Sequence, residues 1–319
     1  MYYYSIIIPV YNRPGEVDDL LRSLARQTYK GFEVVVVEDG SDIPCREVAA
    51  RYEGELDIRY FAIPNGGPSA ARNYGAKESA GDYLLILDSD CVLPDRYVEA
   101  IDRSLAVRPA DAFGGPDRTH GSFTPVQKAI SYSMTSFFTT GGIRGGKRKL
   151  DKFYPRSFNM GVRRDVFEKL GGFDTSMRYG EDVDFSMRIV LAGYETRLMP
   201  EAYVYHKRRT DFRQFFRQVE HSGAARVVLA RKYPGSLKPV HCLPALFVAG
   251  TACLLLLGLF CPWLYAALLL YAVVLFADAT ARNGGDARIG ALSVAAATVQ
   301  LFGYGIGFIK EKAKNHNNH

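Results

Sequence analysis

The sequence predicts an α/β fold: a mostly parallel sheet flanked by helices, followed by a C-terminal region of hydrophobic helices. Three observations carry this reading. Four short runs rich in β-branched residues and leucine, at 5–10, 33–37, 57–63 and 83–87, read as strands buried on both faces. Apolar residues at helical spacing separate them, which implies right-handed crossovers between parallel strands. From 243 to 277 no charged residue occurs, whereas before residue 240 short apolar runs alternate with charged stretches. The expected division is an α/β domain over 1–235, ending in an amphipathic stretch over 206–235, and a membrane region over 236–319 with two or three hydrophobic helices.

Each element has a local reason. The first run ends before Pro14-Gly15, after which Val17, Leu20, Leu21 and Leu24 recur at helical spacing. The second closes at Asp39-Gly40-Ser41. The fourth closes at Asp88-Ser89-Asp90, and Leu93-Pro94 is expected to open a helix. In such a sheet ligands bind beyond the carboxyl ends of the strands, so Asp39, Asp88 and Asp90 should converge at one crevice.

Composition narrows the classes. The 319 residues carry a net charge of +6, with 48% hydrophobic and 23% charged residues, which excludes disorder as the main state. Cysteines at 45, 91, 242, 253 and 261 form no C-x-x-C pair, which argues against a zinc cluster or disulfide scaffold and for a reducing compartment. The start lacks a basic segment and a long apolar run, so no signal peptide is expected. No Gly-x-Gly-x-x-Gly follows the first strand and no Gly-Lys-Ser/Thr occurs, which disfavours those two nucleotide-binding plans.

Two motifs carry chemistry. Paired carboxylates at Asp88-Ser89-Asp90 repel and need a counter-charge, which Mg²⁺ or Mn²⁺ supplies while also holding phosphate oxygens. The alternative is that both are turn or cap residues. Asn65-Gly66-Gly67-Pro68 leads into a helix whose first amides offer an anion site, with Arg72 one turn in and able to fork onto a diphosphate. An ordinary Gly-rich connection with Arg72 on a solvated face is the alternative.

Ile7-Ile8-Pro9-Val10-Tyr11-Asn12, Glu38-Asp39-Gly40-Ser41, the segment 67–73 and Asp88-Ser89-Asp90 occur in one order at close spacing. Asn159-Met160-Gly161, Gly171-Gly172-Phe173-Asp174 and Gly180-Glu181-Asp182-Val183-Asp184-Phe185 follow. Over roughly 4–210 this order resembles the family 2 glycosyltransferases of GT-A fold. The resemblance implies that Pro9 and Tyr11 line the nucleobase pocket, Asp39 bonds the base, and Arg72 faces the nucleotide. It places Asp88 near the ribose with Ser89 beside it, and gives Asp90 to the metal. It makes Asp182 the base that deprotonates the acceptor hydroxyl. In similar enzymes a histidine at the position of His206, closing Tyr203-Val204-Tyr205, completes the metal site. A surface histidine at a strand end is the alternative. Crowding of Glu181, Asp182 and Asp184 is expected to raise a carboxyl pKa; equally, acidic residues in a first helical turn complement the helix dipole. His120 and His221 read as structural.

Two basic stretches remain. The segment 144–152, with Arg144, Lys147, Arg148, Lys149 and Lys152 beside glycines, reads as a loop that binds an anionic acceptor or is simply solvated. The stretch 207–232 interleaves eight basic residues with aromatics and valines, which suits a membrane interface; no motif supports nucleic acid. No Trp completes a Gln-x-x-Arg-Trp signature after Gln214 and Arg217, which argues against processive synthesis. A single helix over 243–277 would be about 52 Å long against a hydrocarbon core of about 30 Å. A hairpin is therefore expected, out over 243–261 and back over 263–277, with the break at Cys261-Pro262 and Trp263 near the outer interface. A third uncharged run, 289–309, is diluted by glycines; if it spans, Lys310, Lys312 and Lys314 lie outside, so a re-entrant or interfacial segment is the alternative. A buried soluble hairpin is the further alternative.

The resemblance thus implies an inverting, membrane-anchored transferase of bacterial type, with its catalytic domain at the cytoplasmic face of the inner membrane, in cell-envelope polysaccharide synthesis. The donor is a nucleoside-diphosphate sugar, UDP-linked by preference. The acceptor is a lipid-linked glycan. A polyprenyl-phosphate sugar synthase and a non-catalytic sugar-nucleotide-binding subunit are the alternatives.

Overall fold

The computed structural model describes residues 1–121, 123–141 and 153–314. In chain order the elements begin β1 (Tyr4–Val10), α1 (Pro14–Ala25), β2 (Phe32–Asp39), α2 (Arg46–Ala50), β3 (Ile58–Ile63) and α3 (Pro68–Glu78). They continue with β4 (Tyr83–Leu87), β5 (Cys91–Val92), α4 (Tyr97–Val107), β6 (Ala112–Gly114), β7 (Asp117–Arg118), α5 (Pro125–Thr135) and α6 (Phe137–Thr140). Then come β8 (Asn159–Arg163), α7 (Arg164–Lys169), α8 (Glu181–Leu191), β9 (Thr196–Leu198) and β10 (Val204–His206). The chain closes with α9 (Phe212–Lys232), α10 (Leu243–Gly258), α11 (Tyr265–Arg282) and α12 (Ala287–Ala313).

Two compact units result. One is Met1–His120 with Leu150–Lys207; the other is Gly121–Lys149 with Arg208–His319. The expected boundary at 235 falls elsewhere, because α5, α6 and α9 cluster with the C-terminal helices.

The first unit is built on a seven-stranded sheet of order β3-β2-β1-β4-β8-β6-β9. Strands β3, β2, β1 and β4 run parallel, while β8 runs antiparallel to both neighbours. Ile6, Ile7, Ile8 and Val34 through Val37 are fully buried, as runs covered by helices on both faces must be. Buried Glu33 is satisfied within the sheet, accepting from Ser5 Oγ at 2.7 Å. Helix α1 buries Val17, Leu20, Leu21 and Leu24, the stripe its spacing predicts. Leu93-Pro94 does not open a helix. The chain first makes β5, which joins β10 and β7 in a second, three-stranded sheet, and α4 starts only at Tyr97. That short sheet matters because its register sets His206 opposite Cys91, one residue past Asp90.

In the second unit α12 is the central helix. Ala296 packs with Phe215 and Val219 of α9 and with Ala129, Ile130 and Met134 of α5. The glycines read in the sequence as diluting a span serve close approach. A Cβ on Gly307 would lie 2.0 Å from the Glu220 carbonyl oxygen, and one on Gly223 would lie 2.1 Å from that of Tyr304. Lys310 and Glu220 pair at 2.8 Å, and Arg231 and Glu311 at 3.0 Å. By length and composition alone, two helical segments, Pro262–Arg282 and Ala287–Ala313, are apolar enough to cross a membrane.

Candidate functional site

The parallel register brings the predicted residues to one edge of the sheet. Pro9 pairs with Val37 and Val10 with Glu38, so Tyr11, half-exposed, emerges beside Asp39 at the end of β2. On the other side β4 runs parallel to β1 and delivers Asp88, Ser89 and Asp90 just past its end. Asn12 turns the chain there in a left-handed conformation (φ 54°), and its Oδ1 accepts from Ile43 N at 3.0 Å. Asn tolerates this region better than most residues.

Asp39 answers the question posed by the Gly-Gly turn. Its Oδ1 accepts from Gly66 N at 2.7 Å and its Oδ2 from Gly67 N at 3.0 Å. In this structure the anion held at the start of α3 is the protein's own carboxylate. Gly67 adopts φ +84°, which is why glycine stands there.

Arg72 also differs from expectation. It is buried, and its Nη2 donates to Asp88 Oδ1 at 2.9 Å while Nη1 donates to Glu181 Oε1 at 2.8 Å. Both terminal nitrogens are engaged and tie the end of β4 to the start of α8, while the buried Nε has no hydrogen-bond partner among the described residues. Its flat face lies 5.3 Å from the centre of the Phe173 ring.

Asp182 is buried at the same helix start. Arg156 Nε donates to its Oδ2 at 2.6 Å and Val183 N to its Oδ1 at 2.8 Å. The pKa expectation is overturned. Burial pushes the carboxyl up, but the Arg156 charge and hydrogen bond, with Arg72 behind, outweigh it and hold Asp182 below the usual carboxylate range. The neighbouring acids do not crowd it into protonation because each has its own cation: Arg72 for Glu181, Arg188 for Asp184 at 2.9 Å.

Asp90 and His206 are brought together. Asp90 Oδ2 accepts from Arg13 Nη1 at 2.6 Å, while buried Oδ1 lies 2.9 Å from His206 Nε2. Burial raises this carboxyl, yet the His206 and Arg13 charges outweigh it and hold it well below the usual range. The Phe158 ring stacks on the imidazole at 5.0 Å. Donor atoms of Asp90, Cys91 and His206 all lie within 4.8 Å of one another. A carboxylate oxygen and an imidazole nitrogen at this spacing fit a divalent cation, and the oxygen and nitrogen donors suit Mg²⁺ or Mn²⁺ better than the thiol does. Cys91 instead directs its Sγ to the Phe158 carbonyl at 3.4 Å.

Ser89 is buried between the two acids. Arg13 and Arg156 are missing from the sequence reading. Arg13 sits between the quoted Asn12 and the helix-opening Pro14, and Arg156 stands in no motif. The basic stretch 144–152 lies outside the described residues.

Residues 5–171 match the family model for glycosyl transferase family 2, just over half of the chain. Glycosyltransferase AglE of Haloferax volcanii is 29% identical over 209 residues, 64% of this chain and 67% of that protein. The pre-mycofactocin glycosyltransferase of Mycobacterium tuberculosis is 27% identical over 254 residues, 74% of this chain and 49% of that one. The chain thus spans from about half to two thirds of these relatives' lengths, and only 22% of a Rickettsia felis glycosyltransferase that is 43% identical over 141 residues. The fold is similar to that of mannosyltransferase PcManGT from Pyrobaculum calidifontis, solved with GDP-Man and Mn²⁺: TM-score 0.65, 19% identity, 94% of this chain and 87% of that one. S. aureus TarS 1-349 in complex with UDP-GlcNAc gives TM-score 0.52 and 18% identity over 99% of this chain and 93% of that one. The α/β architecture is the expected GT-A fold, and the chain belongs to glycosyl transferase family 2.

Proposed function

We propose that the protein is an inverting glycosyltransferase that moves a sugar from a nucleoside-diphosphate sugar, preferentially UDP-linked, to a lipid-linked glycan at the cytoplasmic face of the inner membrane. The observation that carries the proposal is the Asp90–His206 pair, a buried oxygen facing an imidazole nitrogen at 2.9 Å at the end of the parallel strands. Asp90 and His206 would hold a divalent cation, with Arg13 fixing the other carboxylate oxygen. When bound, Mg²⁺ or Mn²⁺ supplies charge stabilisation for the departing nucleoside diphosphate. The likeness to enzymes solved with GDP-Man and Mn²⁺ and with UDP-GlcNAc supports both the donor class and the cation.

The chain's own residues do the rest. Tyr11 offers an exposed ring at the sheet edge for stacking a nucleobase, with Pro9 behind it and the Asp39 carboxylate alongside. Asp88, held by Arg72, would meet the ribose, and Ser89 spaces it from Asp90. Asp182 is ionised at neutral pH and accepts the proton of the acceptor hydroxyl as that oxygen attacks the anomeric carbon. The bond from that carbon to the diphosphate breaks in the same displacement, so the configuration inverts. Membrane association through the apolar C-terminal helices would keep the site near a lipid-borne acceptor.

The test is nucleotide release from a panel of sugar nucleotides. The full chain in lipid is given an envelope lipid extract as acceptor, with Mn²⁺, Mg²⁺ or chelator. Release from one donor, abolished by chelator and by Asp90→Ala, is expected. Equal release with chelator present would refute the cation role, and folded protein that neither binds nor turns over any donor would refute the transferase reading.

A further inference from the structure

We infer that this chain holds the membrane with the α10–α11 hairpin alone, inserted to the depth of one leaflet, and that α12 does not cross the bilayer. The inference deepens the membrane association in the proposed function.

Helix α12 is apolar because it is a core. Between Leu301 and Phe308 none of its residues is exposed. Helix α9 lies along it in the same direction, Phe215 and Val219 near Ala296 and Arg231 at Glu311. At 21 residues α9 is about 31 Å long, as long as a hydrocarbon core is thick. If α12 spanned the bilayer, α9 would have to enter it too, carrying Arg213, Arg217, Glu220 and Arg226 into hydrocarbon. Charges there are costly, so the pair stays outside.

The hairpin has the opposite environment. Its base is fixed to the other helices of the unit. Phe247 meets Phe302 at 5.8 Å, Tyr271 OH donates to Phe138 O at 2.9 Å, and Tyr132 OH donates to Asp278 Oδ2 at 2.7 Å. Above Thr251 and Tyr271 it stands clear, ending in Phe260 and Trp263, 88% and 86% exposed. From Thr251 to Cys261 the helical rise gives about 15 Å, and from Trp263 to Tyr271 about 12 Å. Half of a 30 Å core is about 15 Å. The turn closes on itself: Cys261 N donates to Leu257 O at 2.9 Å and Leu264 N to Cys261 O at 3.1 Å. Few backbone groups are thereby left unmet in hydrocarbon. In sequence, Lys238 precedes the hairpin and Arg288 follows it, cations suited to anionic headgroups. The expected position of Trp263 at the outer interface therefore gives way to one at the bilayer midplane.

Trp263 is the one tryptophan of the chain, so it reports the depth of the tip directly. The full protein is reconstituted in phosphatidylcholine–phosphatidylglycerol vesicles whose acyl chains are brominated near the carbonyl end, at mid-chain, or near the terminal methyl. Fluorescence should be quenched most by bromine near the methyl end. Strongest quenching by bromine near the carbonyl end would overturn the inference in favour of a spanning hairpin, and no quenching by any lipid would overturn membrane insertion itself. In a second arm, Ser236→Cys and Lys314→Cys variants lacking Cys242, Cys253 and Cys261 are labelled with an impermeant maleimide. Both positions should react from the same face; labelling from opposite faces would show that α12 spans. Neither readout needs turnover, so either can fail while the transferase reading stands.

Discussion

Asp90 and Asp182 are both buried carboxylates with an arginine on one oxygen, yet their second oxygens differ. Asp182 Oδ1 receives a backbone N–H from its own helix, so the group is complete in the protein. Among the described residues, Asp90 Oδ1 has the His206 imidazole nitrogen beside it at 2.9 Å. A buried carboxylate oxygen beside an imidazole, which in its neutral form is a metal ligand, suits a cation that arrives from outside. On that ground we propose cation binding for Asp90 and proton transfer for Asp182.

The larger expected effect breaks the comparison on the Asp182 side. Asp182→Asn keeps the Oδ contact to Arg156 and removes the basic oxygen. Turnover should fall by about 10²–10⁴, the usual contribution of a positioned general base, with donor KM little changed. A variant that loses donor affinity instead would move Asp182 into the binding site. The smaller effect sharpens it. Arg156 holds the Asp182 pKa down, and a base fails once protonated, so wild-type activity is expected to persist into the acidic range as far as Asp182 stays ionised. Arg156→Gln removes the charge, and the acidic limb of the kcat profile should move to higher pH. An unmoved limb would mean that another group carries the proton.

Much of the fold was legible because it rests on local pattern. The runs at Ile6-Ile7-Ile8, at 34–37 and at 84–87 say both strand and burial, and Asp39, Asp88 and Asp90 then follow from the rule about strand ends. Pairings between distant residues were not legible. Arg13 is 77 residues from Asp90 and Arg156 is 26 from Asp182, and nothing in either neighbourhood marks a partner. The Gly66-Gly67 turn was visible as an anion site, but not that Asp39 fills it. Hydropathy failed in a different way. α12 and the hairpin share an apolar composition, and the sequence does not show that Gly223, Gly305 and Gly307 bring α12 against the backbones of its neighbours.

The most direct test of the division of labour is calorimetric titration of UDP into the full protein with and without Mn²⁺, comparing Asp90→Asn with Asp182→Asn. Asp182→Asn should bind UDP in a Mn²⁺-dependent manner like the wild type, and Asp90→Asn should lose that dependence. Mn²⁺-dependent binding that survives in Asp90→Asn and vanishes in Asp182→Asn would contradict it.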